Sequence, residues 1–161
     1  MHTVNRSVAF LLAVGPMFWT VGCGAKGDHG FLNDVVPATG RVTLNGEALP
    51  GATIRFVPAI GSAGGREAMA ITDQSGGYEM STLVPGLSPD ESKGVVPGEY
   101  AVAISRVAMP DGAPPPADII DENDAISKGA KQSVPAEYTD PGTSPLKVTV
   151  AAPKFENDFE F

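Results

Sequence analysis

Three acidic residues that lie close together are the first candidates for chemistry in this chain. Asp118, Asp121 and Asp124 follow a proline-rich stretch, Pro114-Pro115-Pro116, and precede two lysines. Ca²⁺ takes six to eight oxygen ligands, so the three carboxylates are a weak calcium candidate. The spacing of a calcium-binding loop is absent, and a charge run of this kind is more often a solvated loop. The solvated loop is the favoured interpretation, and no cofactor is expected.

Histidine, the usual base in nucleophilic catalysis, is scarce. The chain contains only His2 and His29, and both precede the part that is expected to fold. Catalytic zinc sites and nucleophilic triads depend on histidine, so the sequence argues against both. No P-loop, dinucleotide fingerprint or G-x-S-x-G motif occurs either. A hydrolase that uses two carboxylates alone is a very weak alternative, and we expect no enzyme.

Residues 1–22 have the pattern of a secretory signal. Arg6 precedes an apolar run from Val8 to Val14, and Gly15-Pro16 interrupts that run. A short basic start followed by a short apolar stretch is typical of an export signal. The run is too short to span a bilayer as a helix. A permanent transmembrane anchor is the alternative.

Cys23 is the only cysteine and follows this segment directly. Thr20-Val21-Gly22-Cys23 resembles the lipobox of bacterial lipoproteins, in which small residues precede a cysteine that is lipidated and becomes the new N-terminus. The match departs from the family at Thr20, where Leu is usual. The resemblance implies lipidation of Cys23, and two acyl chains hold a protein stably on a membrane. The alternative is an ordinary buried thiol, since a lone cysteine forms no internal disulfide.

The charge balance narrows the choice of partners. With 11 Lys and Arg against 19 Asp and Glu, the formal net charge is −8. This argues against a nucleic-acid partner, whose phosphates need basic residues, and against binding to anionic lipid through a basic patch. Residues 23–36 are polar and rich in glycine, which predicts a flexible tether. The expected partners are the membrane, through Cys23, and an envelope protein or a glycan.

From Thr39 onward, apolar and polar residues alternate with the period of half-buried strands. Asn45-Gly46 predicts one hairpin, and Asp73 with Gly76 or Gly77 predicts a second, tight one. About seven strands with frequent turns favour an all-β fold, an antiparallel β-sandwich over residues 37–161. The predicted inward-facing residues are Val42, Ile54, Phe56, Val102, Ile104, Val148 and Phe159.

Several phrases in order resemble the carboxypeptidase regulatory-like, or transthyretin-like, module. They run from Thr39 to Ile54, from Thr72 to Tyr78 and from Pro97 to Tyr100. The tail, 134–146 with 155–161, is similar to that of short bacterial lipoproteins built on this module. The resemblance covers 36–161 and implies a prealbumin-like β-sandwich at the cell envelope without catalytic activity. Despite the name, the module carries none of the zinc ligands of the peptidases.

Together these patterns predict an exported, lipid-anchored, non-enzymatic structural or interaction module of the bacterial cell envelope. It would lie on the outer membrane or on the periplasmic or extracellular face. Binding specificity is expected in the loops near 59–66, 83–96 and 109–134, because connections vary while strands hold the scaffold. The alternative is a carbohydrate- or peptide-binding accessory protein.

The aromatic residues leave two further alternatives open. Tyr78, Tyr100 and Tyr138, with Phe155, Phe159 and Phe161, could form a platform for stacking sugars, although filling the core is the favoured interpretation. The C-terminal segment, 155–161, could pair with the sheet edge of a partner. Pairing within its own sheet is favoured.

Overall fold

The computed structural model describes residues 29–62, 64–116, 118–119 and 121–161. The predicted signal, 1–22, and Cys23 lie outside them. The regular elements of the described chain are mostly strands in antiparallel sheets, with little helix, which confirms the all-β class. The elements are β1 (Ala38–Leu44), β2 (Glu47–Ala48), β3 (Thr53–Pro58), β4 (Ala68–Ile71), β5 (Gly77–Glu79), β6 (Ser81–Thr82), β7 (Gly98–Ser105), β8 (Val107–Ala108), α1 (Glu122–Ser127), β9 (Lys131–Gln132), β10 (Lys147–Val150), β11 (Phe155–Glu156) and β12 (Phe159–Glu160), with 3-10 turns at Gly30–Asn33, Pro89–Ser92 and Ala136–Tyr138.

β1 is the central strand of the first sheet. On one side it pairs antiparallel with β5 and then with β2. On its other side it pairs with β11 and β12, with Ala38 opposite Phe155 and Val42 opposite Phe159. These last two pairings are parallel, so the purely antiparallel prediction is wrong for them. After β10 ends in the other sheet, the chain crosses to the first sheet. Because it enters from that side, β11 and β12 run beside β1 in the same direction.

The second sheet is antiparallel throughout, in the order β10-β7-β3-β4-β6. Its longest pairing joins β3 to β7, from Thr53 opposite Ser105 to Pro58 opposite Tyr100. β3 ends at Pro58, as the sequence predicts, because proline offers no N–H to a further pairing. Just beyond β7, β8 and β9 form a separate two-stranded ribbon.

The two five-stranded sheets enclose one apolar core. The rings of Phe56 from β3 and Phe155 from β11 meet edge to face at 6.0 Å and join the sheets. The predicted inward residues are buried except for Val148, which is half-buried against the core. Truncation of a fully buried ring such as that of Phe56 to alanine typically costs about 3–5 kcal/mol.

The first predicted hairpin is present: Asn45 and Gly46 take positive φ, 53° and 82°, which the tight turn between β1 and β2 requires. The second prediction is correct as a tight turn but wrong as a hairpin, because the strands on either side of it, β4 and β5, pair in different sheets. In this turn one carboxylate oxygen of Asp73 accepts hydrogen bonds from the N–H groups of Ser75 and Gly77, at 2.7 and 3.0 Å. Gly76, between them, supplies the positive φ of 76°.

The C-terminal segment is not the unbroken strand that its alternation of phenylalanine and acid predicts. It is divided at Asn157-Asp158 into β11 and β12. At the break the carboxylate of Asp158 accepts the N–H of Arg41 at 2.8 Å, in place of a backbone carbonyl. Gly40 lies opposite, where any side chain would overlap the backbone of Asn157. The described residues hold twelve strands instead of about seven, and half of these strands, including β11 and β12, are only two residues long.

The long connection from β8 to β9 contains the short helix α1, where the sequence allows one helical turn. Asp121 caps it, since its side chain accepts the N–H of Asp124 at 2.8 Å, as N-cap residues do. Within the residues that the structure describes, no helix is both long and apolar enough to span a bilayer. The apolar run considered above as a transmembrane alternative precedes these residues.

Candidate functional site

The chain joins the sandwich beside the connection between β3 and β4. In the 3-10 turn Gly30–Asn33, the ring of Phe31 lies under the guanidinium of Arg66, 3.8 Å from its carbon, a favourable cation–π contact. Val36 is buried and pairs with Val95 through two backbone hydrogen bonds of 2.8 and 2.9 Å. Of the predicted tether, 23–36, the described part from His29 therefore packs against the domain.

The β3–β4 loop, 59–66, carries a fully exposed isoleucine. Ile60 lies in a turn closed by the bond from Ser62 N–H to the carbonyl of Ala59, 2.9 Å. Beside it is a mostly apolar cavity of about 360 Å³, whose wall includes Pro58, Ile60 and Lys147. This loop presents apolar surface on the same connection that holds Phe31.

The three aspartates of the calcium candidate serve the local structure. Asp121 caps α1, Asp124 forms an ion pair with Lys128 at 3.1 Å, and Asp118 lies 4.0 Å from the same ammonium group. Among the described residues, no three His, Cys, Asp or Glu side chains are grouped so that they could hold a metal ion.

One pair of acids does line a cavity. Asp121 and Glu122 border a space of about 320 Å³, and Glu122 accepts a hydrogen bond from the hydroxyl of Ser105 at 2.7 Å. Both side chains belong to exposed residues. A catalytic carboxylic acid depends on a shielded, apolar setting, which this pair lacks.

The connection from β6 to β7, around 83–96, is ordered by side-chain hydrogen bonds. Ser88 and Glu91 cap the turn Pro89–Ser92 reciprocally, and the Ser88 hydroxyl is the main cause that lowers the pKa of Glu91. Lys93 bonds Glu79 at 2.8 Å, which raises the lysine pKa. Next to β6 this loop borders an apolar cavity of about 380 Å³, with Leu83, Val84 and Leu87 in its wall.

Just before the third predicted loop region, 109–134, lies a residue that the sequence predictions did not include. Arg106, at the end of β7, borders a cavity of about 290 Å³ under Pro114 and Pro115. This cavity adjoins the one at Asp121 and Glu122, because Gly51, Val107 and Pro115 line both. A charged residue inside the otherwise apolar stretch 100–108 was the available signal.

The aromatic residues fill the core and do not form a stacking platform. Tyr78, Tyr100 and Phe159 are buried, while Tyr138, Phe155 and Phe161 are half-buried against the core. The hydroxyl of Tyr100 donates to the carbonyl of Val96 at 2.6 Å, and burial raises its pKa. The C-terminal strands pair with β1 in their own sheet, as favoured.

Comparison with known proteins does not add a family to this description. No family model, no curated protein and no solved structure matches the chain. The architecture itself defines an all-β protein with two facing sheets and with loops that border several surface cavities. Its resemblance to the carboxypeptidase regulatory-like module remains a prediction from the sequence.

Proposed function

We propose that this chain is an exported, lipid-anchored, non-enzymatic interaction module of the bacterial cell envelope. The observation that carries the proposal is the position of Cys23, the only cysteine, directly after an apolar run and small residues. Phe31, eight residues after Cys23, already packs against the domain. Eight residues reach at most about 29 Å even when fully extended, so a lipid on Cys23 would hold the β3–β4 loop near the bilayer.

The proposed module is of the carboxypeptidase regulatory-like, prealbumin-like kind. In support, two of the motifs that suggest it form turns: Asn45-Gly46 turns β1 into β2, and Asp73 organises the turn before Tyr78. The structural roles of several acidic side chains support a non-enzymatic function. Those of Asp73, Asp121 and Asp158 serve turns, caps and strand pairing.

The test of the anchor is the intact mass of the mature protein from a bacterial host, with a Cys23→Ser variant as control. We expect loss of residues 1–22 and the added mass of a diacylglyceryl group, neither of which Cys23→Ser would show. A Thr20→Leu variant restores the usual residue of the lipobox and should be processed at least as completely. A wild-type mass equal to that of the unprocessed chain, or of a cleaved chain without lipid, would refute anchoring.

A carbohydrate- or peptide-binding accessory protein is the second candidate. The two adjoining cavities beneath Pro114 and Pro115 favour it, since binding sites are concave and combine apolar walls with a few polar groups. Because Tyr78 and Tyr100 are buried, any such ligand would contact the cavity walls and not those rings. Substitution of cavity residues, and not of the buried tyrosines, is therefore the informative test.

A further inference from the structure

Arg106 has an environment unlike that of the other basic residues in the described chain. It is the only one of them that is not exposed. Arg55, Lys93, Lys128 and Lys154 each form an ion pair with a carboxylate. Within the described residues Arg106 forms none, and the other cations without an ion pair, Arg41, Arg66, Lys131 and Lys147, are all exposed to solvent. In an acidic protein, a half-buried arginine without an acidic partner is unexpected, because charges removed from water are usually paired.

Neutral acceptors fix the guanidinium in place. Its Nε donates to the carbonyl of Pro50 at 2.8 Å, Nη1 to the hydroxyl of Ser133 at 3.2 Å, and Nη2 to the carbonyl of Gly112 at 3.2 Å. A guanidinium carries five N–H groups, so these bonds leave two of them unused. The group is thus oriented in advance while its charge is uncompensated, which reduces the entropy that a ligand must lose on binding.

Among the described residues, none of those that line the cavity beside Arg106 is acidic. Thr72 and Gln74 contribute polar atoms, and Pro114 and Pro115 contribute apolar surface. The adjoining cavity carries Asp121 and Glu122. Along the groove formed by the two cavities, the charge therefore changes from one cation to two carboxylates. We call this groove, bordered by Arg106 at one end and Glu122 at the other, the β7 groove.

We propose that the β7 groove binds an organic carboxylate. Arg106 holds the carboxylate group of this ligand, and the ligand's own hydrogen-bond donors point toward Asp121 and Glu122. A planar guanidinium suits a carboxylate because two N–H groups can meet its two oxygens. Phosphate has the same fork of oxygens, but its second charge meets more repulsion from a protein of net charge −8. A peptide C-terminus and a sugar acid both have the required chemistry.

This inference goes beyond the anchoring proposed above and does not depend on it. The experiment is a titration of the ¹⁵N-labelled full chain in detergent micelles, followed through its backbone amide resonances. The probes are acetyl-alanyl-alanine and glucuronate, each with its uncharged partner, the C-terminal amide and glucose, and inorganic phosphate. We expect saturable shifts at Gly51, Gln74 and Gly112 with a carboxylate probe and none with its neutral partner.

The two carboxylate probes distinguish a peptide C-terminus from a sugar acid as the ligand of the groove. Tighter binding of the dipeptide assigns the groove to peptide ends, and tighter binding of glucuronate assigns it to acidic sugars. Equal shifts with the acid and its neutral partner, shifts confined to other surfaces, or tighter binding of phosphate would each overturn the proposal. None of these results would affect the mass measurement on Cys23, so failure here is separate from failure of the anchor.

Variants then test the role of the guanidinium. Arg106→Gln should weaken carboxylate binding by at least about tenfold, the scale of a charged hydrogen bond, and Arg106→Lys should recover only part of it. Arg55→Gln, which removes an exposed cation paired with Glu67, is the matched control and should bind normally. If Arg106→Gln does not fold, Gln74→Ala, an exposed residue of the same wall, should still reduce affinity; unchanged affinity would count against the site.

Discussion

The hydroxyl of Tyr78 donates a 2.7 Å hydrogen bond to the backbone carbonyl of Asn157. The two residues belong to opposite sides of β1, and the bond passes over Gly40, whose lack of a side chain leaves room for it. Asn157 lies where β11 ends and β12 has not begun. The bond therefore ties the break in the C-terminal segment to β5 across the central strand.

Removal of this hydroxyl should destabilise the protein. Tyr78→Phe keeps the ring, which is stacked on Phe159 at 6.1 Å, but leaves the Asn157 carbonyl without its partner. A lost buried hydrogen bond of this kind costs about 1–3 kcal/mol, measurable as a lower midpoint of urea unfolding. Tyr138→Phe, at a half-buried ring against the core, is the control and should change the free energy of unfolding by less than about 0.5 kcal/mol.

The same tyrosine predicts a loss of stability in alkali. Burial first, and then the negative charge of Asp158, raise the pKa of Tyr78 well above its ordinary value of 10.0. Above pH 10 the unfolded chain releases this proton while the folded chain keeps it, so the free energy of unfolding falls as pH rises. Urea unfolding at pH 9 and pH 11 should show this fall, and Tyr78→Phe should reduce it. An identical fall in the variant would contradict the assignment.

Gly40→Ala should be far more damaging than substitution of a glycine in open space. A Cβ at Gly40 would overlap the backbone of Asn157, so β1 and the C-terminal strands would have to separate. We expect a loss above about 3 kcal/mol, in the range of severe core mutations. Gly86→Ala, with φ of +86° and no neighbour within 4 Å, meets only backbone strain of about 1–2 kcal/mol. Thermal unfolding of the two variants compares them, and similar melting temperatures would contradict the close approach.

Asp73 should make the turn between β4 and β5 sensitive to acid. The Ser75 hydroxyl, followed by the N–H groups of Ser75 and Gly77, lowers the pKa of this carboxyl below its ordinary 3.8. Because the folded state favours the charged form, stability is present above that value and is lost as pH falls below it. Asp73→Asn retains an acceptor for the turn and should lose less stability between pH 6 and pH 3. Urea midpoints at the two pH values test this, and equal losses in both proteins would refute it.

If Cys23 is lipidated, Ile60 should lie close to the lipid surface. Trp19 is the only tryptophan of the chain and would be removed with residues 1–22 on processing, so a lipidated Ile60→Trp variant has one fluorophore, on the β3–β4 loop. On vesicles containing brominated phospholipid, we expect stronger quenching than for Ile126→Trp, which labels an exposed site on α1. Equal quenching of the two lipidated variants would show that this loop does not face the bilayer.

The sequence predicted what depends on local rules and missed what depends on long-range geometry. Alternation identified the buried faces of β3 and β7, and the glycines at positions 46 and 76 marked the turns from β1 to β2 and from β4 to β5. The parallel pairing of β1 with the C-terminal strands has no local signal, since the chain must first cross between sheets. Arg106 escaped notice for the same reason: its acceptors at Pro50 and Ser133 are 56 and 27 positions away.

The pairing of β1 with β11 and β12 also determines when the first sheet can be completed during folding. The Arg41–Asp158 contact joins positions 117 residues apart, so the first sheet cannot be completed until residues 155–161 are available. Such distant contacts slow folding, and until they form β1 keeps one edge unsatisfied. If the chain is exported as proposed, this delay would favour translocation, because the polypeptide would remain unfolded until residues 155–161 have crossed the membrane.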